Sequence, residues 1–240
     1  MSKPTASLPQ KSRVIFIDAA GTLIKVRDPI GDTYARAAAT HGLQINPDVL
    51  DSAFRSAWTS LPPPQHAGTP SPDDDKGWWR ELVGRCFQMA LGDPLPGGRL
   101  QPLFEDLYAS FAAPEAWQVF TDVVPALELL RPHFRLFVLS NFDRRLHSIL
   151  AGHQLTPYFD KIIISSEIGA SKPHPVLFAT AARVAQCEPG ECIHIGDDLE
   201  CDFRGAQAAG FQAFHLDRKT TTILDIARRI TASAPHESEV

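Results

Sequence analysis

Apolar positions change their rhythm twice along this chain. Val14-Ile15-Phe16-Ile17 is a short continuous apolar run that ends on Asp18-Ala19-Ala20-Gly21-Thr22-Leu23, a pattern that predicts a buried strand breaking into a Gly-Thr turn. Beyond it the apolar side chains recur at helical spacing. Asp28-Pro29 and Asn46-Pro47 are helix-start signals, each pairing a capping side chain with a proline in the first turn, where no donor is needed. The first helix is expected to run through Tyr34, Ala37 and Ala38 to a stop at Gly42. The second carries Val49, Leu50, Ala53, Phe54, Ala57 and Trp58 on its apolar face. Trp78, Trp79, Leu82, Val83, Cys86, Phe87 and Ala90 predict a third before Gly92, and Leu100 to Phe111 a fourth. Leu61 to Pro72 holds five prolines and cannot be helical, because proline lacks the donor and clashes with the preceding turn. Residues 26–116 therefore read as all-helical, without a convincing strand.

After Trp117 short apolar runs alternate with helical patterns, the order expected of βα units. Candidate strands are Arg135 to Leu139, Lys161 to Ser165, Cys192 to Ile195 and Phe211 to His215; the helices between them include Arg144 to Ala151, Pro175 to Ala185 and Leu199 to Ala209. The fold class is α/β, with a parallel sheet whose first strand is Val14 to Ile17. Residues 26–116 interrupt that sheet as an inserted helical unit, leaving a discontinuous core of 1–25 and 117–240. The proline-rich stretch is then a loop of the insert.

Composition narrows the partners. At 240 residues the chain can bury a substantial core with an insert beside it. A net charge of −5 gives no polycationic footprint and argues against nucleic acid, so a small anionic ligand would need a local positive site. No apolar run approaches the roughly 20 residues that span a bilayer, and the polar segment Met1 to Arg13 resembles no targeting peptide. Cys86, Cys187, Cys192 and Cys201 form no Cys-x-x-Cys pair and read as free thiols of a cytoplasmic protein.

Four polar constellations fall at the ends of predicted strands: Asp18, Ser140-Asn141, Lys172-Pro173 and Gly196-Asp197-Asp198. In an open parallel sheet all four face the same edge, where such folds carry their chemistry. A nucleophilic carboxylate, a hydroxyl with an amide, an ammonium and further carboxylates suit phosphoryl transfer. Asp18 can attack phosphorus, Ser140 and Lys172 can hold the equatorial oxygens, and a divalent cation between Asp18 and Asp197 would cancel their repulsion. Hard oxygen ligands favour Mg²⁺. Taken singly, each constellation has a plain structural reading: a turn cap, turn residues, a solvated lysine, a helix start.

Taken together, the four motifs resemble those of the haloacid dehalogenase-like hydrolase superfamily across nearly the whole chain. The resemblance implies a Rossmann-like core, a mobile helical cap between the first two motifs, Asp18 as nucleophile, and Mg²⁺ held by the Asp18 side chain, the Ala20 carbonyl and Asp197. It implies that Ser140 and Asn141 bind phosphate, that Lys172 stabilises charge, and that Asp202 supports the metal shell or Lys172, with Asp198 a weaker metal candidate. Arg27 to Gly31 with Tyr34-Ala35, Trp117 to Val119, and Ser140 to Leu146 narrow the resemblance to one group within the superfamily.

One position departs from the phosphatase pattern. Two residues after the nucleophile, where an acid–base Asp is expected, stands Ala20. General acid–base catalysis contributes about 10²–10⁴-fold, so alkyl phosphates with poor leaving groups should suffer most. A phosphate- and Mg²⁺-binding protein with little turnover is one alternative. A 2-haloacid dehalogenase is another, although those enzymes lack the Gly-Asp pair kept here at Gly196-Asp197. A C–P bond hydrolase would need a cap lysine, and Lys76 is the only lysine between Val26 and Trp117; it reads as a solvated residue. Trp78 and Trp79 are expected to pack within or beneath the insert, His194 to be a packed, hydrogen-bonded strand residue, Arg144-Arg145 either to attract an anion or to form a solvated helix face, and Lys25 and Arg27 to steer anions.

Overall fold

The computed structural model describes residues 14–66, 68–95 and 98–233. Its centre is β1 (Val14–Ile17), flanked on one side by β4 (Arg135–Ser140) and β5 (Lys161–Ile164) and on the other by β6 (Cys192–Gly196) and β7 (Gln212–His215). Every pairing in this five-stranded sheet is parallel. The expected parallel α/β core is present, in the strand order of a Rossmann-like sheet. Because the chain leaves β1 toward β4 and β5 and returns on the other flank through β6, the order reverses between β1 and β6, which is where such sheets open a crevice.

Side-chain alternation divides the core between two faces. Ile15, Ile17, Leu136, Val138, Ile193 and Ile195 pack against α5 (Val123–Leu130), α6 (Arg145–Gly152) and α10 (Ile223–Ser233). Val14, Phe16, Phe137 and Leu139 pack on the other face against α8 (Pro175–Ala185) and α9 (Gly205–Ala208). β1 carries no polar side chain because helices cover it on both sides.

Between β2 (Ile24–Val26) and β3 (Trp117–Val119), an antiparallel two-stranded ribbon, lie α1 (Ile30–Thr40), α2 (Pro47–Ser60), α3 (Lys76–Leu91) and α4 (Leu100–Ser110). These helices enclose a core of their own, in which Tyr34 stacks on Phe87 at 5.8 Å and meets Phe54 edge-on. The ribbon escapes the sequence pattern, since three residues are too few to establish a period.

Asn46 caps α2 as expected, accepting the Asp48 amide at 2.8 Å. Asp28 does not cap α1. Pro29 occupies the cap position and the Asp28 carboxylate takes Arg36 instead, leaving the start to the fixed φ of proline. Leu199–Arg204, expected as the start of an ordinary helix, is a widened π-helical turn capped by Asp198, which accepts the Glu200 and Cys201 amides.

Truncation of Phe87 to alanine removes a fully buried ring and should cost about 3–5 kcal/mol in urea unfolding. The half-exposed Met89 on the same helix, changed to alanine, should stay within about 0.5 kcal/mol of the parent.

Candidate active site

Asp18 leaves the sheet one residue beyond β1, its amide still bonded to the Ile195 carbonyl of β6 at 2.9 Å. Its side chain meets Lys172, which arrives from the segment after α7 (Ser165–Ile168). The Lys172 ammonium donates to Asp18 Oδ1 at 2.6 Å, to Asp202 Oδ1 at 2.5 Å and to the Leu139 carbonyl at 3.0 Å. All three partners are fixed by backbone: the end of β1, the penultimate residue of β4, and the π-helical turn after β6. Asp202 also accepts from His194 at 2.8 Å and from the Asp198 amide at 3.0 Å. His194 is thus packed and hydrogen-bonded, as its place on a buried strand implies.

Charge within this cluster does not balance. Asp18, Asp197 and Asp202 each offer a carboxylate oxygen within 4.8 Å of the others, and among the described residues a single ammonium opposes them. Asp18, 6 % exposed, is pushed up to about 7 by burial and by Asp202 and Asp197, against the pull of Lys172. Burial alone would lower the Lys172 ammonium, but Asp18 and Asp202 outweigh it and hold its pKa above the usual lysine value. Burial would raise Asp202, yet Lys172 and His194 hold it below the usual carboxylate range. Asp197 is raised by burial, with a bond from Thr22 working against the shift. Among the described residues Asp18 Oδ2 and the Ala20 carbonyl accept no hydrogen bond, and Asp197 Oδ2 accepts none from another residue. Surplus negative charge with hard oxygen acceptors that receive no hydrogen bond is a donor set that fits Mg²⁺.

The remaining motif residues hold this arrangement. Ser140 ends β4, buried beside the Leu139 carbonyl that Lys172 uses. The Asn141 side chain brackets the Lys172 backbone, donating to its carbonyl at 2.9 Å and accepting its amide at 2.7 Å. Gly21, at φ +87°, lies so close to Asp197 that a Cβ there would sit 2.3 Å from Oδ2. Asp198 turns away as a helix cap and lies outside the carboxylate cluster.

Supporting residues reach the site from both near and far in sequence. Thr22 donates to Asp197 Oδ1 at 2.8 Å, and Arg218, beyond β7, donates to the Thr22 carbonyl. Arg218 also holds both oxygens of Asp122 and lies 3.9 Å from the centre of the Phe120 ring, tying the Asp18 turn to the segment after β3. Arg27, expected to steer anions, instead donates to the Glu115 and Trp117 carbonyls across the ribbon. Lys25 is exposed over Phe120. Lys76 is ion-paired with Glu105 at 2.6 Å rather than simply solvated.

The proline-rich loop of the helical bundle lies on the sheet domain as a strap. Gly68 and Ser71 donate backbone bonds to the Gly169 and Ser166 carbonyls. Asp74 accepts from Ser166 Oγ at 2.6 Å and from the Arg144 amide at 2.9 Å. His66 joins Asp75 at 3.0 Å to Ser171 at 3.1 Å, next to Lys172. Arg145, expected either to attract an anion or to lie on a solvated face, is buried in a bidentate pair with Asp143, and the guanidinium lies 3.9 Å from the centre of the Tyr108 ring. Trp79 donates to the same Asp143 at 2.8 Å, and Trp78 to the Pro62 carbonyl. Trp78 therefore ties the bundle to its strap, and Trp79 ties the bundle to the segment after β4.

Asp74→Asn keeps the side-chain size and the tolerance for φ +56° but leaves one of its two donors without an acceptor. Amide exchange at Gly68 and Ser71, followed by NMR, should accelerate about fivefold or more, with unchanged rates in β1.

Comparison with known proteins agrees with this architecture. A family model described as haloacid dehalogenase-like hydrolase matches residues 12–210. Human haloacid dehalogenase-like hydrolase domain-containing protein 3 is 35% identical over 207 residues, spanning 84% of this chain and 80% of its own length. Among solved structures, a defluorinating L-2-haloacid dehalogenase superposes with a TM-score of 0.73 at 20% identity, covering 95% of this chain and 100% of its own. A HAD phosphatase from Thermococcus onnurineus gives 0.65 at 22% identity, covering 92% and 99%. Fold, motif order and sequence likeness agree, and the chain belongs to the haloacid dehalogenase-like hydrolase superfamily, in the group of haloacid dehalogenase-like hydrolase domain-containing protein 3.

Proposed function

We propose that this hydrolase is Mg²⁺-dependent and transfers a phosphoryl group through an aspartyl phosphate on Asp18, with residues 26–116 acting as a cap over a core of 1–25 and 117–240, of which 1–13 and 234–240 lie outside the described residues. The observation that carries the reading is the unbalanced carboxylate cluster around one buried lysine at the sheet's switch point. A dehalogenase has no use for a cation there, whereas phosphoryl transfer needs both an anionic nucleophile and a means of tolerating an anionic substrate beside it.

In this reading Asp18 Oδ2 attacks phosphorus while Lys172 fixes Oδ1 and neutralises charge gathering on the phosphoryl oxygens. Ser140 binds one of those oxygens. Asn141, its amide committed to the Lys172 backbone, contributes by setting the lysine. Asp18, the Ala20 carbonyl and Asp197 would hold Mg²⁺, whose charge would offset the repulsion between the nucleophile and an anionic substrate. Thr22 and Arg218 keep Asp197 facing Asp18. The strap closes the cap and excludes bulk water. A small phosphorylated or otherwise anionic metabolite in the cytoplasm fits this site, in keeping with four free cysteines and with no described helix long and apolar enough to cross a membrane.

Ala20 shapes the expected substrate range. Without a carboxylic acid at that position, leaving groups that depart unprotonated are favoured, namely aryl and acyl phosphates. The same residue supports a second reading, in which phosphate and Mg²⁺ bind with little turnover.

A screen with p-nitrophenyl phosphate, acetyl phosphate, an alkyl phosphate, a 2-haloacid and phosphonoacetaldehyde separates these readings. Mg²⁺-dependent turnover of the first two is expected, abolished in Asp18→Asn and retained in Lys76→Ala. Metal-independent activity on the 2-haloacid alone would refute the proposal, and Mg²⁺-dependent phosphate binding without turnover would favour the second reading. Ala20→Asp should raise alkyl phosphate hydrolysis by about 10²-fold while changing p-nitrophenyl phosphate hydrolysis far less, as compared by kcat/KM.

A further inference from the structure

We infer that Cys187 and Cys192 are a redox-modification site, closing to an intramolecular disulfide when the protein meets a small-molecule disulfide oxidant. Their sulfurs lie 2.8 Å apart. A disulfide needs about 2.05 Å, so closure requires only about 0.8 Å of approach.

The connection between the two residues is shaped to hold that separation. Gln186, in the left-handed region at φ +55°, ends α8 and turns the chain back, and the Cys187 amide bonds to the Ala182 carbonyl at 3.1 Å. The residues between the cysteines form one short helical turn, Pro189–Glu191, locked by reciprocal bonds of Glu188 and Glu191. Cys192 Sγ donates to the Glu188 carbonyl at 3.3 Å. Neither Cys86, enclosed in the bundle core, nor Cys201, beside Asp198, bonds to another thiol.

Exposure assigns the order of events. Cys187 is partly exposed and Cys192 fully buried. The Cys187 thiolate, having lost its proton to solvent, attacks the small disulfide; one S–S bond forms, another breaks, and one small thiolate leaves. The Cys192 thiolate then attacks the Cys187 sulfur and expels the second small thiol. Two protein thiols are oxidised to one disulfide and the oxidant is reduced to two thiols. Burial holds both protein thiols above their ordinary pKa, which keeps this exchange slow at neutral pH. The bond would tie the end of α8 to the start of β6, five residues or roughly 16 Å from Asp197. It is independent of the catalytic reading.

The test treats reduced full-length protein with oxidised glutathione at pH 8, alkylates the remaining thiols, and maps disulfides by peptide mass spectrometry. A Cys187–Cys192 link with alkylated Cys86 and Cys201 is expected. Cys192→Ala, its fold checked by circular dichroism, should instead accumulate glutathione on Cys187. Persistence of both thiols in the folded wild-type protein overturns the inference. So does glutathione accumulating on wild-type Cys187, or linkage to Cys86 or Cys201 at comparable yield.

Discussion

A single buried ammonium organises this molecule. Lys172 bridges Asp18 and Asp202 while donating to the end of β4, so three separate stretches of chain are referenced to one nitrogen. Each charge there is expensive to bury alone, and breaking such a pair by removing one partner costs about 3–5 kcal/mol because the other is left uncompensated. That constraint fixes where the loops after β1, β4 and β6 can go. It also leaves the cluster short of positive charge, so that burial first, and Asp202 and Asp197 after it, raise Asp18 against the pull of Lys172.

The parallel sheet makes the cluster possible, because it delivers the carboxyl ends of β1, β4, β5 and β6 to one edge. This is also why so much of the site is legible in the sequence. Asp18, Ser140 and Asp197 each stand where an apolar run ends, and the period of such runs is the strongest signal a chain carries. What escapes is set by long-range contacts with no local pattern. Arg218 lies beyond the segment matched by the family model, and only the fold reveals that it holds the Thr22 carbonyl. The proline-rich stretch is recognisable as a loop, but its use as a strap depends on Asp74 meeting Ser166 and Arg144 across 92 and 70 residues. Asp28 and Asp198 show the converse, since one polar side chain beside a helix can cap it, pair with an arginine or bind a ligand, and only neighbours decide.

Fold and chemistry separate at Ala20. A dehalogenase and a phosphatase share this architecture at similar overlap, so architecture does not choose between them. The choice rests on a few atoms: the Asp197 carboxylate opposite Asp18, kept in place by Thr22 and by the missing side chain of Gly21, and the methyl group where an acid would stand. In the function proposed above, the first favours an anionic substrate with a cation, and the second limits which leaving groups depart.

The most direct test is to capture the covalent intermediate. Protein mixed with acetyl phosphate and Mg²⁺, quenched in acid within seconds and digested at low pH, should yield one phosphorylated peptide containing Asp18, absent when Mg²⁺ is replaced by a chelator. A phosphoryl group on another residue, or acetyl phosphate turnover with no adduct at Asp18, would contradict the account.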